Sequence, residues 1–87
     1  MDYVTQQRKW IAEVGLEIGD KVLIVSSTGS WESGWQDDWV EDMDDSVGLT
    51  GIVQESDGSE DAGLSVRTED GRLWNYPFFV LVKVEDE

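Results

Sequence analysis

Two alternating segments separated by a two-residue turn constrain the fold of this chain most strongly. In GLSVRTE, residues 63–69, every second side chain after the glycine is apolar or β-branched, which is typical of a strand. Asp70-Gly71 follows, and RLWNY then continues over 72–76. An Asp-Gly pair between two strands predicts a β-hairpin with a type I′ turn, because that turn needs positive φ at both central positions. The chain is therefore expected to contain an antiparallel sheet.

A helix and three further strands are expected around this hairpin. Residues 3–14 carry apolar side chains at helical spacing, with Thr5 available as an N-cap and Gly15 as a C-cap. Glycines and Pro77 bound the strands, because proline cannot donate to a sheet ladder. The remaining strands are predicted over 20–27, within 48–56 and around 80–84, with a helical turn over 38–46 in the insert between the first two strands.

A length of 87 residues fits one domain and leaves no room for a second core. Five short strands punctuated by glycine turns favour a mainly β architecture. Five strands are too few for a typical immunoglobulin-like sandwich and suit a small, strongly bent barrel.

Glycine, turn and core positions carry a resemblance to a known family. These positions are Gly19-Asp20-x-Val22, Gly51-x-Val53, Val66, Asp70-Gly71, Tyr76 and Leu81, preceded by Trp39 to Met43. In this order the chain resembles SH3-like barrels of the mind bomb/HERC2 kind, and small phage and bacterial proteins with a similar Trp- and Met-bearing segment. The resemblance implies a five-stranded SH3-like barrel that recognises proteins. The resemblance covers the barrel, predicted over 15–84; residues 1–14 are predicted as an added helical extension, and 85–87 as an acidic tail.

Composition excludes several classes of function. The chain has no cysteine and no histidine, which removes disulfides, thiolate zinc ligands and the commonest general base. The acidic loop over 57–63 lacks the residue order of a calcium-binding loop, so no metal and no cofactor is predicted. A barrel of this size rarely provides a catalytic cleft, and we expect no enzyme activity.

The charge of the chain is strongly negative and unevenly distributed. Six Lys or Arg against twenty Asp or Glu give a net charge of −14, and no basic residue occurs between Lys21 and Arg67. Such a field repels phosphates and anionic lipids, so neither direct nucleic acid binding nor membrane binding is expected. The N-terminus lacks the order of a secretory signal, and the longest apolar run, 22–25, is too short to span a bilayer. We expect a cytoplasmic protein, in the host bacterium if the chain is phage-encoded.

The segment WESGWQDDWVEDMDD, residues 31–45, carries tryptophans four residues apart. At this spacing the tryptophans, with Met43 and Val47, would form a stripe along one side of a helix, and we divide this stripe into two parts. Its downstream part, Trp39, Met43 and Val47, has helical spacing that predicts burial against the barrel. Trp31 and Trp35 lie in a Gly- and Ser-containing loop, where core packing and contact with a partner both stay open.

Seven acidic side chains accompany these tryptophans and have two interpretations. They form either a solvated, solubilising surface or a charge-complementary contact for a basic protein. The predicted contact residues are Trp31, Trp35, Glu32, Asp37, Asp38, Glu41, Asp42, Asp44 and Asp45. The favoured function is an acidic protein-binding module that engages a basic surface of a host protein. The alternatives are a DNA-mimic inhibitor that occupies the nucleic-acid channel of its target, and a structural component of a larger particle.

Overall fold

The computed structural model describes residues 2–55 and 60–84. Met1, residues 56–59, which include the start of the acidic loop, the tail over 85–87 and the side chain of Glu32 lie outside the described residues. The helices are α1 (Tyr3–Val14) and α2 (Glu41–Asp44). The strands are β1 (Lys21–Ile24), β2 (Thr50–Gln54), β3 (Leu64–Thr68), β4 (Leu73–Tyr76) and β5 (Leu81–Lys83). Short 3-10 turns over Glu32–Gly34, Glu60–Ala62 and Phe78–Val80 lie between these elements. Neither of the two described helices is long and apolar enough to cross a membrane.

The five strands form one antiparallel sheet in the order β4-β3-β2-β1-β5. The register places Val22 opposite Gly51 and Val53 opposite Val66. This confirms the mainly β prediction of a small domain with five strands and a short N-terminal helix. Within residues 2–55 and 60–84, no pairing joins β4 to β5, so the sheet has two outer strands and is not closed.

The hydrophobic core lies against one face of the sheet. Side chains on this face pack with Trp35 and Met43 from the insert between β1 and β2, and with Tyr3 from α1. The buried apolar side chains of the strands are Val22, Ile24, Val53, Val66, Tyr76 and Leu81. On the other face, one row of exposed side chains crosses four strands: Lys21, Ile52, Arg67 and Leu73.

Helix α1 begins and ends with two well-defined caps. The predicted span is confirmed, but the N-cap is Asp2 rather than Thr5, because Oδ1 of Asp2 accepts a hydrogen bond from the backbone nitrogen of Thr5 at 2.8 Å. Gly15 ends the helix with φ of 66°, in the left-handed region that glycine adopts without steric cost. The predicted C-cap is therefore confirmed.

Side chains of α1 attach the helix to the 3-10 turns on either side of β3 and β4. The Tyr3 hydroxyl donates to Oε1 of Gln7 at 2.6 Å and accepts from the backbone nitrogen of Phe78 at 3.1 Å. Nε2 of Gln7 donates to the carbonyl of Glu60 at 3.0 Å. Trp10 packs on Phe78, with ring centroids 6.0 Å apart, and so joins α1 to the 3-10 turn before β5.

The hairpin between β3 and β4 is present, but its turn is not of type I′. Gly71 has φ of 88°, whereas Asp70 does not have positive φ. The backbone nitrogen of Gly71 donates to the Thr68 carbonyl at 2.9 Å, and that of Thr68 donates to the Arg72 carbonyl at 2.8 Å. This is the pattern of a type I turn followed by a left-handed residue. Asp70 favours it, because its carboxylate accepts hydrogen bonds from the Thr68 hydroxyl and the Arg72 backbone.

Candidate functional site: the acidic segment and its groove

The acidic segment, residues 31–45, is not one continuous helix. Trp31 and Ser33 have φ of 61° and 54°, in the left-handed region that costs a residue with a side chain about 1–2 kcal/mol. Regular helix appears only in the single turn of α2, over Glu41–Asp44. The division of the tryptophan stripe into a loop and a later helical turn is therefore confirmed.

Each indole of the acidic segment donates a hydrogen bond that fixes part of the loop. The acceptors are Oδ1 of Asp38 for Trp31 at 2.8 Å, the Ala62 carbonyl for Trp35 at 2.7 Å, and Oδ1 of Asp44 for Trp39 at 2.7 Å. Two of the three acceptors are thus carboxylates of the same segment. The tryptophans hold these acids in place without neutralising them, because the indole is an uncharged donor.

Trp35 is a core residue. Its side chain is 0% exposed, and its ring packs against that of Trp39 with centroids 6.5 Å apart. The indole of Trp35 lies close to the backbone at Gly63, since a Cβ atom added to Gly63 would lie 2.9 Å from Nε1 of Trp35. The prediction that Trp35 contacts a partner is therefore wrong, because a fully buried side chain presents no surface.

Trp31 has the opposite environment. Its side chain is 57% exposed although its indole is bonded to Asp38. Large exposed aromatics beside a charged surface are typical of binding hot spots. Trp31 stays a predicted contact residue.

The helical part of the segment contributes Met43 to the core, and Trp39 packs against it half-buried. Val47, predicted to share this stripe, is 37% exposed; that prediction is wrong, because α2 ends at Asp44 and the chain turns before Val47. The buried polar residue here is Ser46, whose hydroxyl donates to the Met43 carbonyl at 2.6 Å and accepts from the Tyr76 hydroxyl at 2.7 Å. Nothing in the local sequence signals the bond between Tyr76 and Ser46, because these residues lie thirty positions apart.

The acids of the segment lack cationic partners within the described residues. Asp37 is half-buried, and these five are exposed: Asp38, Glu41, Asp42, Asp44 and Asp45. The ion pairs of the described chain lie elsewhere, at Arg8–Glu60, Lys9–Glu13, Arg72–Asp70 and Lys83–Asp20. For the predicted contact residue Glu32, only the backbone lies within the described part. The segment therefore presents at least six uncompensated carboxylates.

Asp37 and Asp38 line a groove of about 360 Å³ between the acidic segment and β4. Its other lining residues are Val40, Met43, Leu73, Trp74 and Asn75. Val40 and Leu73 are exposed apolar side chains, so the lining of the groove is both apolar and anionic. Nε1 of Trp74 is buried and has no hydrogen-bond partner among the described residues. Sequence reasoning identified the two aspartates but not the groove, because β4 is distant from them along the chain.

The chemistry available here is electrostatic attraction and hydrogen-bond acceptance. No group of three or more potential metal-ligating side chains occurs within the part of the chain that the structure describes. No protein-family model, curated protein or solved structure matches the chain. The resemblance to mind bomb/HERC2 barrels and to small phage proteins stays a prediction, and function is inferred from the residues themselves.

Proposed function

We propose that this protein is a non-enzymatic binding module whose acidic segment engages a basic surface of a partner protein. The observation that carries the proposal is the set of exposed carboxylates, from Asp38 to Asp45, that no described Lys or Arg neutralises. Trp31 adds an exposed aromatic ring beside them. A cytoplasmic location, in a bacterium or its phage, belongs to the same proposal.

A fixed anionic surface favours encounter with a basic protein. Closely spaced charges of one sign raise association rates and select partners of opposite charge. The indole bonds to Asp38 and Asp44 hold two of the carboxylates in position before any partner arrives. Less side-chain entropy is then lost on binding than with freely rotating acids.

The finer fold proposal is an SH3-like barrel. The strand order β4-β3-β2-β1-β5 and the 3-10 turn over Phe78–Val80, directly before β5, support it. Such barrels commonly act as binding modules, but fold alone does not assign a function. The binding proposal therefore depends on the acidic segment and not on the barrel.

The test compares two variants that each remove three negative charges. One changes the acidic segment, Glu41→Gln with Asp42→Asn and Asp45→Asn; the matched control changes exposed acids elsewhere, Glu13→Gln with Glu17→Gln and Glu55→Gln. Each chain is immobilised and exposed to bacterial lysate at about 50 and about 300 mM salt, and captured proteins are identified by mass spectrometry. We expect the wild type and the control to retain a basic protein at low salt and to release it at high salt, where screening shortens to under about 10 Å. The acidic-segment variant should lose it.

Two results would contradict the proposal. One is equal capture by all three chains, and the other is no captured protein at any ionic strength. Where capture occurs, displacement by duplex DNA separates the alternatives, because a DNA mimic and DNA compete for one channel. A partner that DNA does not displace has a basic surface of another kind.

A further inference from the structure

We propose that the groove between the acidic segment and β4 binds an arginine side chain presented by an extended segment of the partner. This inference rests on the proposed function and names the recognition element within it. Its basis is the groove itself, whose lining combines apolar side chains with the carboxylates of Asp37 and Asp38.

The two aspartates are held by neutral donors. Oδ1 of Asp37 accepts from the backbone nitrogen of Asp38 at 2.8 Å, and Oδ2 accepts from Nδ2 of Asn75 at 3.3 Å. Oδ1 of Asp38 accepts from the indole of Trp31 at 2.8 Å. A carboxylate offers about four acceptor sites, so both keep capacity for further donors. The groove is thus complementary to a cation that brings several N–H groups.

The apolar side chains of the groove favour a cation with an apolar stem. Val40 and Leu73 are exposed, and the Trp74 indole lines the same groove. Arginine and lysine both carry a methylene stem that packs on such a surface while the charged end reaches polar groups. The guanidinium is planar, stacks on aromatic rings and donates in pairs to carboxylates, whereas an ammonium is a point charge. We therefore assign the groove to arginine.

The position of the groove fixes the form of the segment that presents the arginine. Residues Leu73 to Asn75 of the groove belong to β4, which pairs on one side with β3 and on the other with no strand of the described chain. A strand edge can accept an extended peptide by backbone pairing, and alternate side chains of that peptide then point the same way. An arginine within an extended, β-branched sequence fits this geometry.

The experiment uses two peptides that differ only in charge. N-acetyl-Val-Arg-Val amide and its isosteric citrulline counterpart are titrated into ¹⁵N-labelled full-length chain. We expect saturable chemical-shift changes at the indole N–H groups of Trp31 and Trp74 and at the amides of 37–40 and 73–75. The citrulline peptide should bind at least tenfold more weakly, and the matching lysine peptide more weakly than the arginine peptide.

Variants then locate the contact. The pair Asp37→Asn with Asp38→Asn should weaken arginine-peptide binding at least tenfold, whereas the control pair Glu13→Gln with Glu17→Gln should change it less than twofold. Equal binding of the citrulline peptide, equal or tighter binding of the lysine peptide, or shifts confined to α1 or to the exposed sheet face would each overturn the proposal. Should the Asp37/Asp38 variant fail to fold, the comparison of peptides on the wild type still decides.

The two proposals fail separately. If the arginine peptide does not bind but lysate capture still depends on Glu41, Asp42 and Asp45, the groove assignment falls and the proposed function stands. If neither the peptide nor any lysate protein binds, both fall.

Discussion

Trp31 and Trp35 lie four residues apart and occupy opposite environments. Trp35 is buried with its indole bonded to the Ala62 carbonyl, whereas Trp31 is exposed with its indole bonded to Asp38. The left-handed backbone at Trp31 turns the chain between them. At the residue scale, one side chain supports the fold and the other is available to a partner.

Replacing each tryptophan by alanine should separate these roles. Trp35→Ala should lower the free energy of unfolding by about 3–5 kcal/mol, because it leaves a large cavity in the core. Trp31→Ala should change it by less than about 1 kcal/mol, because an exposed ring is removed and alanine has the same left-handed cost. Urea unfolding followed by circular dichroism measures both. Similar losses in the two variants would contradict the assignment.

The sequence singled out Trp31 and Trp35 as loop tryptophans but could not predict that one is exposed and the other buried. Their spacing of four would place both on one side of a helix. The left-handed residues Trp31 and Ser33 remove that helix, and no residue type at either position signals positive φ. The exposure of Val47 has a related origin, since helix α2 stops at Asp44.

At the scale of elements, α1 is attached mainly through buried polar groups at its N-terminal end. Burial raises the pKa of Tyr3 to about 12 against the opposing bond from the Phe78 backbone, and the negative charge of Asp61 contributes in the same direction as burial. The neutral hydroxyl is therefore the form that the fold stabilises. Its bonds to Gln7 and Phe78 hold the first turn of the helix to the turn before β5.

Alkaline pH should weaken this attachment. The pKa of Tyr3 is higher in the fold than its ordinary value of 10.0, so its contribution to stability is complete below about pH 10 and is lost as the pH rises towards about 12. We expect the free energy of unfolding of the wild type to fall across this range more steeply than that of Tyr3→Phe. Urea titrations at a series of pH values measure the slopes. Parallel slopes would show that Tyr3 does not contribute to the loss, and that it comes from other groups such as Tyr76, whose pKa burial also raises.

Regular elements were the most predictable part of the fold. Glycine and proline positions located the strands, and helical spacing located α1, because these signals are local. The prediction of a type I′ turn between β3 and β4 was wrong, because hydrogen bonds to the Asp70 carboxylate favour a different turn from the one that Asp-Gly usually forms. The groove between the acidic segment and β4 could not be predicted, because it depends on contacts between distant parts of the chain.

At the scale of the whole molecule, repulsion between like charges opposes folding. The net charge is −14, and the ion pairs of the described residues are mainly exposed. Exposed pairs contribute about 0–1 kcal/mol each. Self-repulsion should therefore exceed the attraction that these pairs supply.

Salt should consequently stabilise the protein. Raising sodium chloride from about 20 to about 300 mM should increase the melting temperature by about 4–8 °C, which corresponds to about 1 kcal/mol for a domain of this size. The variant Glu13→Gln with Glu17→Gln and Glu55→Gln should show a smaller increase, because it repels itself less. Thermal melts followed by circular dichroism measure both. A melting temperature that falls with salt would mean that ion pairs dominate.

Structural and exposed positions alternate within one short insert. Trp35, Met43 and Ser46 are buried, while five of the six acids between them are exposed. During evolution, mutations at the exposed positions can accumulate without altering the buried anchors. Under the proposed function, a lineage could thereby diverge in its choice of target while inheriting the same scaffold.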